Sequence, residues 1–489
     1  MFFACRGRTR RAFASLILCL GVVTMTCALG GAAGAEPATG PLSAGPDNPR
    51  YFADPAGKIV YLTGSHTWSN LKDMGQTDPP QAFDFPGYLD MLEGYGHNFI
   101  RLWTWELSHY SYGDKPCWTA QFPWPRTGPG MALDGKPKFD LSKLDEAYFD
   151  RLRERVDTAR QRGIYVSIML FEGHGMHASL TPWCWDGHPF NANNNINNLD
   201  GDPNGDGRGI ESHTLQIPEI TRAQEAYVRK VIDTVNDLDN VLYEIANEAG
   251  AYSTPWQYHL IDFIHEYEKG KPKQHPVGMT FQWAKKSAGT NKLLSDSPAD
   301  WVSPNPQGGY RDNPPAANGA KVVITDTDHL WGIGGNQQWV WKSFCRGLNP
   351  IFMDPFSPPI EAQPRASINT TWTDHLAGAI RLDPKWDPVR RGMGYARAYA
   401  QRMDLRKATP HNGLASSGYC LADPGSEYLV YVPQGPEVTV DLSTATGELK
   451  GEWFNPSTGE VAQELTVPGG AKVSLKAPFE GDGVVYLRR

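Results

Sequence analysis

The chain has 489 residues, 40% of them hydrophobic, and a formal net charge of −8 at pH 7. That length exceeds one small domain and supplies a large core, so two domains are expected. The acidic balance argues against nucleic acid or an anionic membrane surface as a partner.

Residues 1–35 read as an export signal. Arg6, Arg8, Arg10 and Arg11 precede an apolar run from Phe13 to Leu29, and Ala33-Gly34-Ala35 offers a small-residue cleavage site. Thr9-Arg10-Arg11-Ala12-Phe13 also fits a twin-arginine motif, so the expected location is secreted or periplasmic by either route. The segment holds four arginines and no acidic residue, and without it the net charge becomes −12. No later stretch is long and apolar enough for a membrane span. The cysteines that remain are Cys117, Cys184, Cys345 and Cys420, with no CxxC spacing that would suit zinc. In an oxidising compartment they allow three connectivities, and Cys117 with Cys184, both in Trp-rich and Pro-rich loops, is the expected pair.

Strand and helix patterns then alternate along the chain. Lys58 to Thr63 predicts a first strand, running into Gly64-Ser65-His66-Thr67-Trp68. Phe85 to Tyr95 has helical spacing, and Asn98 to Trp103 is the second strand, with Arg101 inside it requiring a partner for its charge. A long loop with Trp118 and Trp124 precedes a helix at 144–162 and a third strand, Ile164 to Phe171, ending in Glu172-Gly173-His174. A second long loop carries Trp183, Trp185, His188 and an Asn-rich run from Asn191 to Asn198. A helix at 222–237 leads to the fourth strand, Val241 to Gly250, an apolar run that ends abruptly in Asn247 and Glu248.

The second half continues the pattern. A helix at 255–268 precedes the fifth strand, His275 to Trp283, and Asp300 to Ser303 is a weak sixth. Lys321 to Thr325 is the seventh, ending in Asp326-Thr327-Asp328-His329. Pro350 to Asp354 is the eighth, between helices at 336–346 and 389–403. Eight such units predict an α/β fold, a TIM (β/α)8 barrel over 45–405, with functional groups at the carboxyl ends of the strands. A doubly wound sheet would want a Gly-rich phosphate turn after its first strand, and the sequence has none. From Thr409 onward, short alternating strands predict a small antiparallel β-sandwich over 409–489.

Hydrolysis of a glycosidic bond needs one carboxylic acid to protonate the leaving oxygen and a second carboxylate opposite it. Glu248 and the Asp326/Asp328 pair meet that need at the ends of strands four and seven, which face each other across a barrel mouth. Asp326 and Asp328 compete for the second place, and Glu244, deeper in strand four, reads as internally paired. Flat tryptophan faces suit sugar rings.

The YEIANE segment resembles the fourth-strand signature of clan A glycoside hydrolases, where Asn-Glu supplies the acid/base. That resemblance implies Glu248 as acid/base, Asp326 at the nucleophile position of strand seven, and Arg101 as the clan's strand-two arginine. The clan normally carries Glu at the nucleophile position. Asp sits one methylene further back, which widens the gap from the ~5 Å of retaining enzymes toward the ~6.5–9.5 Å of inverting ones. LTGSHTW, FDLSKLDEAYFDRLRERV, TDTDHLWG and the ending from Cys420 to Leu487 are similar to apiosidase-like bacterial barrels with a C-terminal collagen-binding-type sandwich. The resemblance implies a secreted glycosidase acting on a carbohydrate. Candidate substrate-binding residues are Asn247, Arg101, His66, Trp68, Trp103, Glu172, His329, Trp331, Trp283 and Asp354.

No cofactor is expected for catalysis. Asp200, Asp202, Asn204, Asp206 and Glu211 fit the D-x-D-x-N-G-x5-E pattern of hard oxygen ligands around one structural calcium ion, with a solvated acidic turn as the alternative. The flanks lack the two helices of an EF-hand. The alternative function is a barrel without catalysis that binds carbohydrate or collagen, while a metalloprotease lacks HExxH. The sequence sets no oligomeric state.

Overall fold

A computed structural model describes residues 36–112, 115–177, 184–284, 287–354 and 382–489. The expected export signal and Trp183 lie outside the described residues.

Eight parallel strands form the central sheet: β1 (Gly64–His66), β2 (Phe99–Leu102), β3 (Tyr165–Glu172), β4 (Val241–Asn247), β5 (Val277–Thr280), β6 (Trp301–Ser303), β7 (Val322–Asp326) and β8 (Asn349–Met353). Each pairs with its sequence neighbour, and β8 returns to β1 through Ile351↔Gly64 and Met353↔His66. A parallel bridge between Thr67 and Leu102 brings β1 against β2, so the sheet meets itself as a TIM barrel. Helices α1 (Phe85–Gly94), α2 (Glu146–Gln161), α3 (Pro218–Val235) and α4 (Thr254–Glu268) cover one side of its outer face. A short α5 (Asn291–Asp296), a single turn α6 (Thr327–Leu330), α7 (Gln337–Cys345) and α8 (Asp387–Arg402) follow.

Alternation along the strands separates two environments. Ile100, Leu102, Val166, Ile168, Val277 and Met279 pack outward against the helices. Phe99, Tyr165, Leu242, Trp301, Ile324 and Ile351 fill the interior near the amino ends of the strands. One step further along come His66, Arg101, Glu244, Thr280, Ser303 and Asp326, all buried and all polar. The barrel therefore has an apolar plug below and a polar layer beneath its mouth.

The first strand differs from its expected position. Ile59–Val60 of the KIVYLT segment pairs antiparallel with Phe52–Ala53, which pairs with Ser43–Ala44, making a small sheet outside the barrel. The barrel strand is the next segment, Gly64–His66. Its polar composition reflects its place in the site, and Gly64 is required because a Cβ there would lie 2.2 Å from the Phe99 carbonyl oxygen. The long loop after β2 also has structure of its own, including a hairpin between Arg126–Met131 and Pro137–Phe139.

The C-terminal region forms a six-stranded antiparallel sheet. Its strands are β9 (Thr409–Pro410), β10 (Cys420–Asp423), β11 (Glu427–Val432), β13 (Glu448–Asn455), β14 (Glu460–Pro468) and β16 (Gly483–Arg488). A second sheet pairs β12 (Glu437–Asp441) with β15 (Lys472–Lys476). Val430, Val485 and Trp453 meet Val438, Val440 and Leu475 between the two sheets. On the other face Leu429, Tyr431 and Tyr486 join Trp341 and Phe344 of α7 and Tyr399 of α8 in one core. Cys345 and Cys420 are buried thiols. Cys117 and Cys184 share a cluster with Trp68, Trp103 and Trp105.

Candidate active site

A cleft of about 600 Å³ opens at the carboxyl ends of the strands, within the size range of small-ligand pockets. Among its lining residues are Glu248 and Asp328, Asn247, His174 and His329, and the aromatic rings of Trp68, Trp103, Trp105, Trp283 and Trp331.

Glu248 follows directly on β4. Simple alternation would turn Asn247 away from the interior, but Ile245 and Ala246 both join the outer core, and Asn247 returns inward. Glu248 itself has φ +49°, a left-handed conformation uncommon for a residue with a side chain. Its carboxylate is 14% exposed in the cleft, and Oε2 lies 2.8 Å from His174 Nδ1. His174 stacks on Trp283 at 5.9 Å between ring centroids. Burial disfavours its charge, but the hydrogen bond and charge of Glu248 prevail, helped by Glu172 and Asp328, and the imidazole is raised to about 9. A His174 imidazolium therefore faces Glu248 at neutral pH.

Arg101 organises the layer below. Its Nε donates to Glu244 at 2.8 Å, and Nη2 donates to Glu244 at 2.5 Å and to Asn247 at 2.8 Å. Nη1 donates to Asp326 at 2.9 Å and Asp328 at 3.3 Å. Those five contacts match the five N–H donors of a guanidinium, so one buried side chain ties the end of β4 to the end of β7. Glu244 is thereby paired inside the barrel.

Asp326 is fully buried. It accepts from Arg101, from His66 Nε2 at 2.9 Å and from the Asp328 backbone N–H at 2.9 Å. Trp103 Nε1 donates to His66 Nδ1 at 2.9 Å, which leaves the His66 proton on Nε2, pointing at Asp326. Burial would raise the Asp326 pKa, but the His66 and Arg101 contacts outweigh it and hold the carboxyl below the ordinary range. Asp326 is thus an ionised carboxylate beneath the cleft.

Asp328 has a different setting. The strand ends at Asp326, whose side chain caps the turn α6, so Asp328 sits on a helical turn rather than two steps further along a strand. Its side chain is 12% exposed and lines the cleft. Burial, then the negative charges of Glu248 and Asp326, push its pKa well above the usual value. Of the two aspartates, it is Asp328 that shares the cleft with Glu248.

The remaining sequence candidates divide into three groups. Asn247, Trp68, Trp103, Trp283, His329 and Trp331 line the cleft, and His329 Nδ1 is 2.8 Å from Ser303 Oγ. His66 and Arg101 lie beneath it. Glu172 lies behind His174 and Asp354 lies away from the lining, so neither borders the cleft. Glu172 is buried and accepts from the Gly175 N–H at 3.2 Å; burial raises its pKa to about 8. Asp354 receives two bonds of 2.7 Å from Arg390 of α8, both side chains being fully buried, so it braces a helix and does not reach the cleft. His174, Trp105 and Arg311 also line the cleft, though the sequence reading did not select them. His174 was findable, since it follows the end of β3 directly in Glu172-Gly173-His174.

The expected calcium residues lie together in the loop between β3 and α3, away from this cleft. Asn204 Nδ2 donates to Glu211, and Asp202 accepts the N–H groups of Asp206 and Gly207.

Comparison with known proteins places the fold. Residues 113–288 match a family described as a domain of unknown function (DUF6298), and residues 411–484 match one described as "Putative collagen-binding domain of a collagenase". No curated protein matches the chain in sequence. A glycoside hydrolase family 5 structure from Bacteroides vulgatus ATCC 8482 is 14% identical with a TM-score of 0.58, over 92% of this chain and 94% of that one. Another glycoside hydrolase is 13% identical with a TM-score of 0.54, over 92% of this chain and 97% of that one. What these likenesses show is the fold, a TIM barrel, which in this chain is followed by a C-terminal antiparallel β domain.

Proposed function

We propose that the chain is a glycoside hydrolase acting on an oligosaccharide or polysaccharide, with Glu248 and Asp328 as its reacting carboxyl groups. The observation that carries this reading is the pair itself. Two carboxyls from opposite strands share one cleft walled by tryptophans, and their environments differ. His174 neutralises Glu248, whereas burial and the charge of its neighbours favour the protonated form of Asp328. Two interacting carboxyls in one cleft can share a proton, and acid-assisted cleavage requires one protonated and one ionised group.

Position on β4 supports Glu248 as the acid/base, protonating the leaving oxygen while an ionised Asp328 attacks the anomeric carbon, and then activating the water that releases the sugar from Asp328. This reading requires the proton of the pair to sit on Glu248 when substrate is bound. Asp326 is a positioning residue, fixing Arg101, His66 and the turn that carries Asp328. The raised Asp328 and the His174–Glu248 contact favour a second reading in which the roles are exchanged and Asp328 is the acid. A substrate whose leaving group needs no protonation separates the two: the acid variant keeps turnover on it, and the variant of the opposing carboxylate does not. Residues 1–35 support export, so the proposed substrate is an extracellular or periplasmic glycan.

The first test is release of reducing sugar from a panel of plant and bacterial polysaccharides, beside pull-down on collagen and insoluble glycans. The reading predicts sugar release that falls by about 10²–10⁴-fold in Glu248→Gln without unfolding. Binding to a glycan or collagen with no release from any substrate would favour a non-catalytic barrel instead.

A further inference from the structure

We propose that the loop from Asp200 to Glu211 binds one calcium ion, as an EF-hand-type ligand loop held by an aromatic ring in place of flanking helices. The twelve positions place Asp200, Asp202 and Asn204 at one, three and five, Asp206 at seven for its backbone carbonyl, and Glu211 at twelve for both carboxylate oxygens. Gly205 stands at the sixth position, where such loops turn sharply, with φ +68°.

The observation that points to a cation is at Glu211. Its residue is only 8% exposed, and Oε1 accepts from Asn204 Nδ2, closing position twelve onto position five. Oε2 is buried with no hydrogen-bond partner. A buried carboxylate oxygen without a donor is costly, and the charges of Asp202 and Asp206 nearby make it costlier. A cation bound by this loop would supply the partner that Glu211 Oε2 lacks.

In an EF-hand, helices hold the two ends of the loop. Here Trp185 does so. A Cβ at Gly201 would lie 2.7 Å from the Trp185 ring, and one at Gly209 would lie 2.2 Å from it, so the backbone at both ends of the loop rests directly on the indole. Beyond Glu211 the turn Ile210–His213 carries His213, whose Nε2 is 3.0 Å from Glu106 Oε2. That same oxygen accepts the Glu172 N–H at 2.9 Å, at the end of β3. The ion thus fixes a loop that leans on the floor behind His174. The proposal is independent of the glycosidase reading.

Calorimetry of the chelator-treated full chain with calcium chloride tests it. One site is expected, and Glu211→Gln should weaken it roughly 100-fold or more, because the bidentate ligand is lost. Asp202→Asn, at a partly exposed position, should weaken it as well and serves if Glu211→Gln fails to fold. At calcium 100 times Kd, the folded-to-unfolded ratio should rise about 100-fold in wild type and not in the variants. Absence of heat in wild type would overturn the proposal. So would binding that survives both variants and disappears in Asp328→Asn, which would move the ion to the cleft group of Asp326, Asp328 and His329.

Discussion

Arg101 uses each of its N–H groups on Glu244 and Asn247 of β4, Asp326 at the end of β7 and Asp328 on α6, and the spacing of the two carboxyl-bearing segments follows from it. Arg101→Met would leave Glu244 and Asp326 buried without their cation, at a cost of about 3–5 kcal/mol. Urea denaturation of the variant should show that loss, and an unchanged midpoint would mean that the layer beneath the cleft is held otherwise. His174 gives a second measurement. Its imidazole resonance should titrate near pH 9 in wild type and move toward the ordinary value near 6.5 in Glu248→Gln, since the hydrogen bond and charge that raise it are removed. At this scale the sequence disclosed Asn247 and Glu248 readily, because an apolar strand that ends in an amide and a carboxylate has few structural reasons to do so. It left Asp326 and Asp328 unresolved because strand gives way to a helical turn between them. Asp354, a candidate for substrate binding from its place at a strand end, is instead taken by Arg390, 36 residues further along.

Among the elements, β5 and β6 show how the barrel interior is filled. Gly278 on β5 faces the indole of Trp301 on β6, and a Cβ at that glycine would lie 1.9 Å from the ring. Gly278→Ala should therefore cost about 1–3 kcal/mol through overpacking, seen as a lower denaturation midpoint; a neutral effect would mean that Trp301 can leave the interior. The longer barrel strands were legible because burial on both faces makes them continuous apolar runs. β1 was misplaced for the same reason in reverse. The apolar KIVYLT contributes to a small sheet outside the barrel, while Gly64–His66 is polar because its inward side chain belongs to the site. β14 carries no hydrophobic pattern to read, because most of its residues are exposed.

At the scale of the molecule, the barrel and the C-terminal sheet share the core around Trp341, Tyr399 and Tyr431, so the sheet braces α7 and α8. Buried neutral histidines set the acid response. Burial lowers His97 and His329 to about 4, and lowers His66 as well. The unfolded chain takes up these protons near pH 6.5, whereas His97 and His329 resist until near pH 4, so the histidine contribution to stability falls as pH drops through that window. It runs against the opposite contribution of Glu172 and Asp328, whose raised carboxyls bind protons in the folded state first. His97 bonds the Arg390 carbonyl far from the cleft, and His97→Asn should flatten the fall by the share of one proton; an unchanged slope would assign the acid response to other groups. No helix among the described residues is long and apolar enough to cross a membrane.

The role proposed for Glu248 and Asp328 is the joint cleavage of a glycosidic bond. Its most direct test is the turnover of wild type, Glu248→Gln and Asp328→Asn on matched substrates, one a glycan released by the wild-type enzyme and the other the same sugar carrying a dinitrophenolate leaving group. Both variants should lose glycan turnover by orders of magnitude, and only one, the variant of the acid, should keep turnover on the activated substrate. Near-normal glycan hydrolysis by either variant would contradict it.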